Sequence, residues 1–159
     1  MRTSSTLAGT LRVDPATINY SRRISFFYGA NDMIKAKDVL VLDDEPVVGD
    51  RLKPAIEEDG HRVEVFVDPL EALKRIQKKK FDIVVTDIRM ENVNGIQVLE
   101  QVIAKDERTK VIIITGYATM ELAREAMGKM AFDFVSKPFK LAEIRAIVNK
   151  AAQALEAGE

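Results

Sequence analysis

The strongest constraint on this chain is a fivefold alternation of short apolar runs with amphipathic stretches. Val39–Leu42, Val63–Val67, Phe81–Thr86, Lys110–Thr115 and Phe132–Ser136 are runs of strand length, rich in β-branched residues. Between them lie segments with helical spacing. Residues 46–59 read as a helix with Pro46 in the first turn and Gly60 as its stop. Asp68, Pro69 and Glu71 supply an N-cap, a proline at the first helical position and the third residue of a capping box. That helix is expected to run to the lysines at 78–80. Gly95–Ala104 places Ile96, Leu99 and Ile103 on one face, Thr119 can cap a helix reaching Lys129, and Lys140–Leu155 carries Leu141, Ile144, Ile147 and Val148. Continuous apolar strands alternating with helices imply a parallel sheet covered on both faces. Right-handed crossovers leave a few doubly wound α/β topologies. Pro54 lies inside the first helix and predicts a kink or an early stop.

Ligands of such sheets bind beyond the carboxyl ends of the strands. Strand one ends in Asp43-Asp44-Glu45, strand three in Asp87, strand four in Thr115 and strand five in Lys137-Pro138. A parallel sheet brings all of these to one edge. Clustered carboxylates repel unless a cation sits among them. Oxygen donors with no Cys or His among them suit a hard ion such as Mg²⁺. Phosphoryl transfer explains why Lys and Thr share the site: a carboxylate can form an acyl phosphate, whose oxygens need metal, ammonium and hydroxyl partners.

Composition narrows the class further. With no cysteine, disulfides, thiolate chemistry and Cys-ligated metals are excluded. No run approaches the ~20 apolar residues of a membrane helix. The net charge of −1 conceals an asymmetry. Residues 1–37 carry six Lys/Arg against two Asp/Glu, and the rest eighteen against twenty-three, so the body is acidic and unsuited to non-specific nucleic-acid binding. The basic, Ser/Thr-rich residues 1–37 lack the apolar core of a secretory signal, and only partly fit a transit peptide. They read as a disordered extension, or as an early start with Met33 as the true first residue.

The segments Val41–Glu45, Val85–Met90 with Gly95, Ile114–Ala118 and Val135–Phe139 together resemble the receiver domains of bacterial response regulators, over residues 38 to about 155. The resemblance implies a flavodoxin-like, three-layer sheet of order 2-1-3-4-5. It implies that Asp87 is the phosphoacceptor, and that Asp43, Asp44, Asp87 and the backbone carbonyl of Arg89 surround Mg²⁺. Thr115 and Lys137 would contact the phosphoryl group, Phe134 would swing inward with Thr115, and the Lys137–Pro138 bond would be cis. Arg89 and Tyr117 match positions that tune access of hydrolytic water; both are bulky, which predicts slow self-dephosphorylation. The family usually has proline where this chain has Glu91, so the loop after Asp87 is expected to be altered. The implied partners are a sensor histidine kinase or histidine phosphotransfer protein and an unknown downstream protein. A homodimer through the fourth and fifth helices is possible. A cytoplasmic location is expected, with no membrane and no direct nucleic-acid contact.

Blander readings compete at single residues. Asp43-Asp44-Glu45 alone is an acidic turn, Thr115 alone a strand end, Lys137 alone ordinary loop chemistry. Phe134 reads first as a core aromatic. His61, the only histidine, reads as a surface turn residue, Lys78–Lys80 as a solvated helix end, and Met120, Met127 and Met130 as core. Two other functions are conceivable. A Mg²⁺-dependent phosphohydrolase of the haloacid-dehalogenase type would need an Asp-x-Asp on strand one, where this chain has adjacent aspartates. A phosphorylation-independent interaction module would leave the complete acidic site without purpose. About 20 residues follow Lys137, enough for one helix. The chain therefore reads as a stand-alone receiver or as the N-terminal piece of a longer regulator, with 156–159 as a tail. The resemblance implies a phosphoacceptor switch, not an enzyme acting on other molecules.

Overall fold

Each apolar run becomes a strand, and each amphipathic stretch a helix packed across it. The computed structural model describes residues 34–116 and 120–158. In chain order the elements are β1 (Asp38–Leu42), α1 (Pro46–Glu57), β2 (Arg62–Phe66), α2 (Pro69–Lys78), β3 (Ile83–Asp87), α3 (Gly95–Lys105), β4 (Lys110–Thr115), α4 (Met120–Gly128), β5 (Asp133–Ser136) and α5 (Leu141–Ala157). All strand pairs are parallel, in the order β2-β1-β3-β4-β5. This is the doubly wound sheet that the alternation implies, in the flavodoxin-like order that the resemblance implies.

Period-two alternation divides the core into two layers. Val39, Val41, Ile83, Val85, Ile112 and Ile114 face α1 and α5, through Leu52, Ile56, Ile144 and Val148. Leu40, Leu42, Val84, Val111 and Ile113 face the other way, toward Leu73 and Ile76 of α2, Leu99 and Val102 of α3, and Ala126 of α4. The three central strands are covered on both sides, which is why they carry apolar residues without interruption. Among the described residues no helix is long and apolar enough to cross a membrane.

The helix ends follow local chemistry, with some departures from the sequence reading. Pro54 does not stop α1 early: the helix continues to Glu57, and the Pro54 carbonyl accepts the Glu58 N–H at 3.0 Å. Asp68 caps α2 by accepting from the Leu70 N–H at 2.8 Å. Glu71 does not reach back to complete a box, because its carboxylate pairs with Lys74 at 2.7 Å. A full capping box forms at α3 instead, between Asn94 and Gln97. Thr119 lies outside the described residues.

Three surface assignments change. His61 is buried, at 4% exposure, because it is wedged between Lys37 and α5. Its Nδ1 accepts the Lys37 N–H at 3.2 Å, which puts its proton on Nε2, 3.0 Å from Asn149 Oδ1. Lys79 is not a solvated helix end. It folds onto Asp38 and Glu64, at 3.0 and 2.9 Å. Met127 and Met130 are exposed rather than core, since α4 packs through Ala126 and Leu122 and Met130 lies past its end at φ +70°. The Met120 side chain lies outside the described residues. Residues 34–37, counted from sequence with the extension, lie against α5. Ile34 joins the α1/α5 layer, and Glu156 accepts from the Lys35 N–H and pairs with Lys37. The first 33 residues lie outside the description.

Candidate functional site

The carboxyl ends of β1, β3, β4 and β5 meet at one edge. There Asp43, Asp44 and Asp87 each offer a carboxylate oxygen, all within 4.8 Å of one another. Asp43 and Asp87 are buried, at 1% and 5% exposure, while Asp44 is exposed. Asp43 Oδ1 accepts the Glu45 N–H at 2.9 Å. Asp87 Oδ1 accepts the Arg89 N–H at 3.2 Å. Lys137 reaches across from the end of β5: its Nζ lies 2.8 Å from Asp43 Oδ2, 3.0 Å from Asp87 Oδ2 and 3.1 Å from Glu45 Oε1.

The electrostatics are those of an overcharged pocket. Burial holds the Asp43 carboxyl above its ordinary value and the Asp87 charge adds to this, against the opposing contacts from Lys137 and the Glu45 N–H. Burial acting alone would lower the Lys137 ammonium, but its contacts with Asp43, Asp87 and Glu45 outweigh it and the group is held above its ordinary value. Four carboxylates (Asp43, Asp44, Glu45, Asp87) face one ammonium, so three negative charges are in excess when all are ionised. Asp43 Oδ2 is fully buried and accepts no hydrogen bond, its approach to Lys137 being an ion pair outside hydrogen-bond geometry. An all-oxygen set with excess negative charge fits a hard divalent cation.

The remaining predicted residues take these positions. Thr115 ends β4 and is fully buried. Its carbonyl accepts the Lys137 N–H at 2.8 Å, tying the two strand ends together. Phe134 is half-buried against the α2/α3/α4 layer. The Lys137–Pro138 peptide is cis. Arg89 is exposed beside the aspartates, and with Asp44, Met90, Glu91 and Asn94 it lines an open depression at the rim. The loop carrying Glu91 turns through Asn92 at φ +68°. Tyr117 lies outside the described residues.

Sequence reasoning gave no role to two residues that the geometry singles out. Gly95 backs the turn after β3 so closely that a Cβ there would lie 2.1 Å from the Asp87 carbonyl oxygen. Glu45, at the N-cap of α1, turns its carboxylate to Lys137. The one signal for the latter was a glutamate before Pro46, a residue type that caps helices poorly.

Known proteins resemble this chain in sequence and fold. The model of the family described as response regulator receiver domain matches residues 39–149. The regulatory protein AtoC of Escherichia coli K12 is 37% identical over 115 residues, 72% of this chain and 25% of AtoC. The transcriptional regulatory protein FixJ of Bradyrhizobium diazoefficiens is 31% identical over 118 residues, 74% of this chain and 58% of FixJ. The chain thus spans from a quarter to somewhat over half the length of these relatives. Among solved structures, the CheY-like receiver domain protein of Methanospirillum hungatei superposes with a TM-score of 0.75 at 24% identity, covering 79% of this chain and all of that one. The beryllofluoride-activated NtrC4 receiver domain dimer gives 0.71 at 28% identity, covering 74% of this chain and 98% of that one.

Proposed function

The chain belongs to the response regulator receiver domain family of two-component signalling, and from that premise we propose that Asp87 is its phosphoacceptor, served by Mg²⁺ and Lys137. The observation that carries the proposal is the placement of the Asp87 carboxylate. It sits at the edge of the central strand, one oxygen on an ammonium and the other on a backbone N–H, with two further aspartates within reach of a shared ion.

A phosphohistidine on a sensor kinase or phosphotransfer protein is the expected donor. An Asp87 oxygen attacks phosphorus, the phosphorus–nitrogen bond breaks, and the imidazole leaves with the electron pair and takes up a proton. Asp43, Asp44, Asp87 and the Arg89 carbonyl would hold Mg²⁺, which when bound neutralises charge developing on the phosphoryl oxygens. Lys137 is already in contact with Asp87 and needs only to shift its donors to the new oxygens. The Asp43 charge orients Lys137 and is itself oriented by the Glu45 N–H. Thr115 lies one strand away, and its hydroxyl is the group expected to turn to the phosphoryl group. The Thr115–Lys137 backbone link then carries movement of one strand end to the other. Phe134, half-buried, is the aromatic expected to respond, and the face of α4, β5 and α5 is where a downstream protein or a second copy would read the change. Self-dephosphorylation is expected to be slow because Arg89 stands beside Asp87. An acyl-phosphate lifetime unchanged in Arg89→Ala/Tyr117→Ala would remove that idea.

The deciding experiment is intact mass after incubation with Mg²⁺ and acetyl phosphate. One added phosphoryl group that requires Mg²⁺, is lost with EDTA and is absent in Asp87→Asn is the expected result. A folded chain that gains no mass from acetyl phosphate or from cognate kinases would refute it and leave an interaction module.

A further inference from the structure

Glu45 occupies the N-cap of α1, where a short polar side chain would accept from the first helical turn. Its carboxylate makes no such bond. Its N–H donates to Asp43 Oδ1 at 2.9 Å, and its Oε1 lies 3.1 Å from Lys137 Nζ. An ammonium has three protons, and three carboxylates surround this one: Asp43, Asp87 and Glu45. They are not equivalent. The Asp43 and Asp87 side chains are 0% and 7% exposed, whereas that of Glu45 is 63% exposed. Glu45 therefore holds Lys137 from the solvent side, the side from which a phosphoryl group arrives.

We infer that Glu45 is an exchangeable counter-ion of Lys137, holding the ammonium over Asp87 until a phosphoryl oxygen displaces it. The inference rests on the reading of Asp87 as phosphoacceptor. An ion pair this exposed is weak and readily given up, while the buried pairs beneath it are not. A phosphoryl group carries nearly two negative charges and accepts from the same protons more strongly than a carboxylate. Glu45 touches no reacting atom, so it is a positioning residue. It makes the ammonium wait at the mouth of the site, at a cost to the affinity for any incoming oxyanion.

The test is calorimetric titration of the full chain with beryllofluoride, a phosphoryl mimic, at saturating Mg²⁺. Glu45→Gln removes charge and ion pair. Glu45→Asp keeps the charge, but is one methylene too short for Lys137 and is drawn to the helix N–H groups as a cap. Exchange predicts that both variants bind beryllofluoride about two- to fivefold more tightly than wild type. Tightening in Glu45→Gln alone would show that only the through-space charge matters and would overturn the exchange. No change in either variant would overturn it as well. Titration with Mg²⁺ alone guards against a damaged site: if Glu45→Gln weakens both ligands, Glu45 supports the pocket and is not a competitor within it. A wild-type chain that binds Mg²⁺ but neither binds beryllofluoride nor gains a phosphoryl group would instead remove the phosphoacceptor reading, before any variant is compared.

Discussion

Adding one carbon at Gly95 should damage this fold more than its place at a helix start suggests. Gly95 opens α3, and its N–H donates to the Ile88 carbonyl at 2.8 Å. A Cβ built there meets the Asp87 carbonyl oxygen at 2.1 Å, and the Asp87 carbonyl carbon and Ile88 Cα at 2.8 Å. All three are backbone atoms, so no rotamer change relieves the clash. Restoring normal contact requires the turn after β3 and the start of α3 to separate by about 1 Å. Overpacking of this kind costs about 1–3 kcal/mol, and loss of the Gly95–Ile88 hydrogen bond adds about 1 kcal/mol. Against this, Gly→Ala in an unstrained helix returns about 0.4–1 kcal/mol. The balance is a loss of about 2–3 kcal/mol, or roughly 10 °C in melting temperature for a domain of this size. Urea unfolding of Gly95→Ala, read by circular dichroism, measures it. Gly128→Ala, near the end of α4 with nothing within 4 Å of its added carbon, is the control and should be neutral or slightly stabilising. Gly49→Ala should fall between, because its clash at 2.3 Å is with a Val65 methyl, which can turn away. The sign decides. A neutral or stabilised Gly95→Ala would mean that the turn bearing Asp87 moves by about 1 Å without cost, and that the close backbone approach at Gly95 contributes nothing to stability.

His61→Ala should cost about 2–3 kcal/mol in the same assay, since it leaves the Lys37 N–H and Asn149 without their buried partner. A loss under about 0.5 kcal/mol would restore the surface reading. Acid should unfold the chain through its ion pairs. Asp38 is lowered to about 2 chiefly by Arg62, Glu64 to about 2 chiefly by Arg75, and Asp106 to about 2 chiefly by Lys80. Their folded values lie below the unfolded ones, so the stabilisation is present above about pH 4.5 and lost as pH falls toward 2. A Glu64→Gln variant with an unchanged slope of stability across that window would contradict the Glu64 share. Asp43 has the opposite sign: its folded value is raised, so ionising it destabilises the fold as pH rises past its unfolded value. Without metal, Asp43→Asn should therefore be at least as stable as wild type near pH 7. Wild type should gain about 1.8 kcal/mol at a twentyfold excess of Mg²⁺ over its dissociation constant, and the variant little. Equal Mg²⁺-induced shifts in melting temperature for the two chains would show that Asp43 is not a ligand.

Which parts of this molecule could be read from the sequence depended on whether the signal was periodic or pairwise. The sheet was legible because each buried strand repeats one demand, an apolar side chain on both faces, and Ile83–Asp87 or Lys110–Thr115 can meet it in no other way. The aspartates and Lys137 followed, since topology alone brings strand ends to one edge. His61 was misread because its burial comes from α5, 88 residues away at Asn149, and nothing within a turn of the chain announces it. Lys79 was misread for the same reason, its partners being Asp38 and Glu64 in the neighbouring strands. Glu45 shows how such pairwise information can still leave a trace. A glutamate before a proline at a helix start leaves the cap unmade, and a side chain that declines the nearest donors is free for a distant one. The distant one here is the lysine at the far end of β5, 92 residues on. A residue that breaks a local rule at a strand end is thus itself a pointer to the site, and at Glu45 it points to the ammonium that also contacts Asp87.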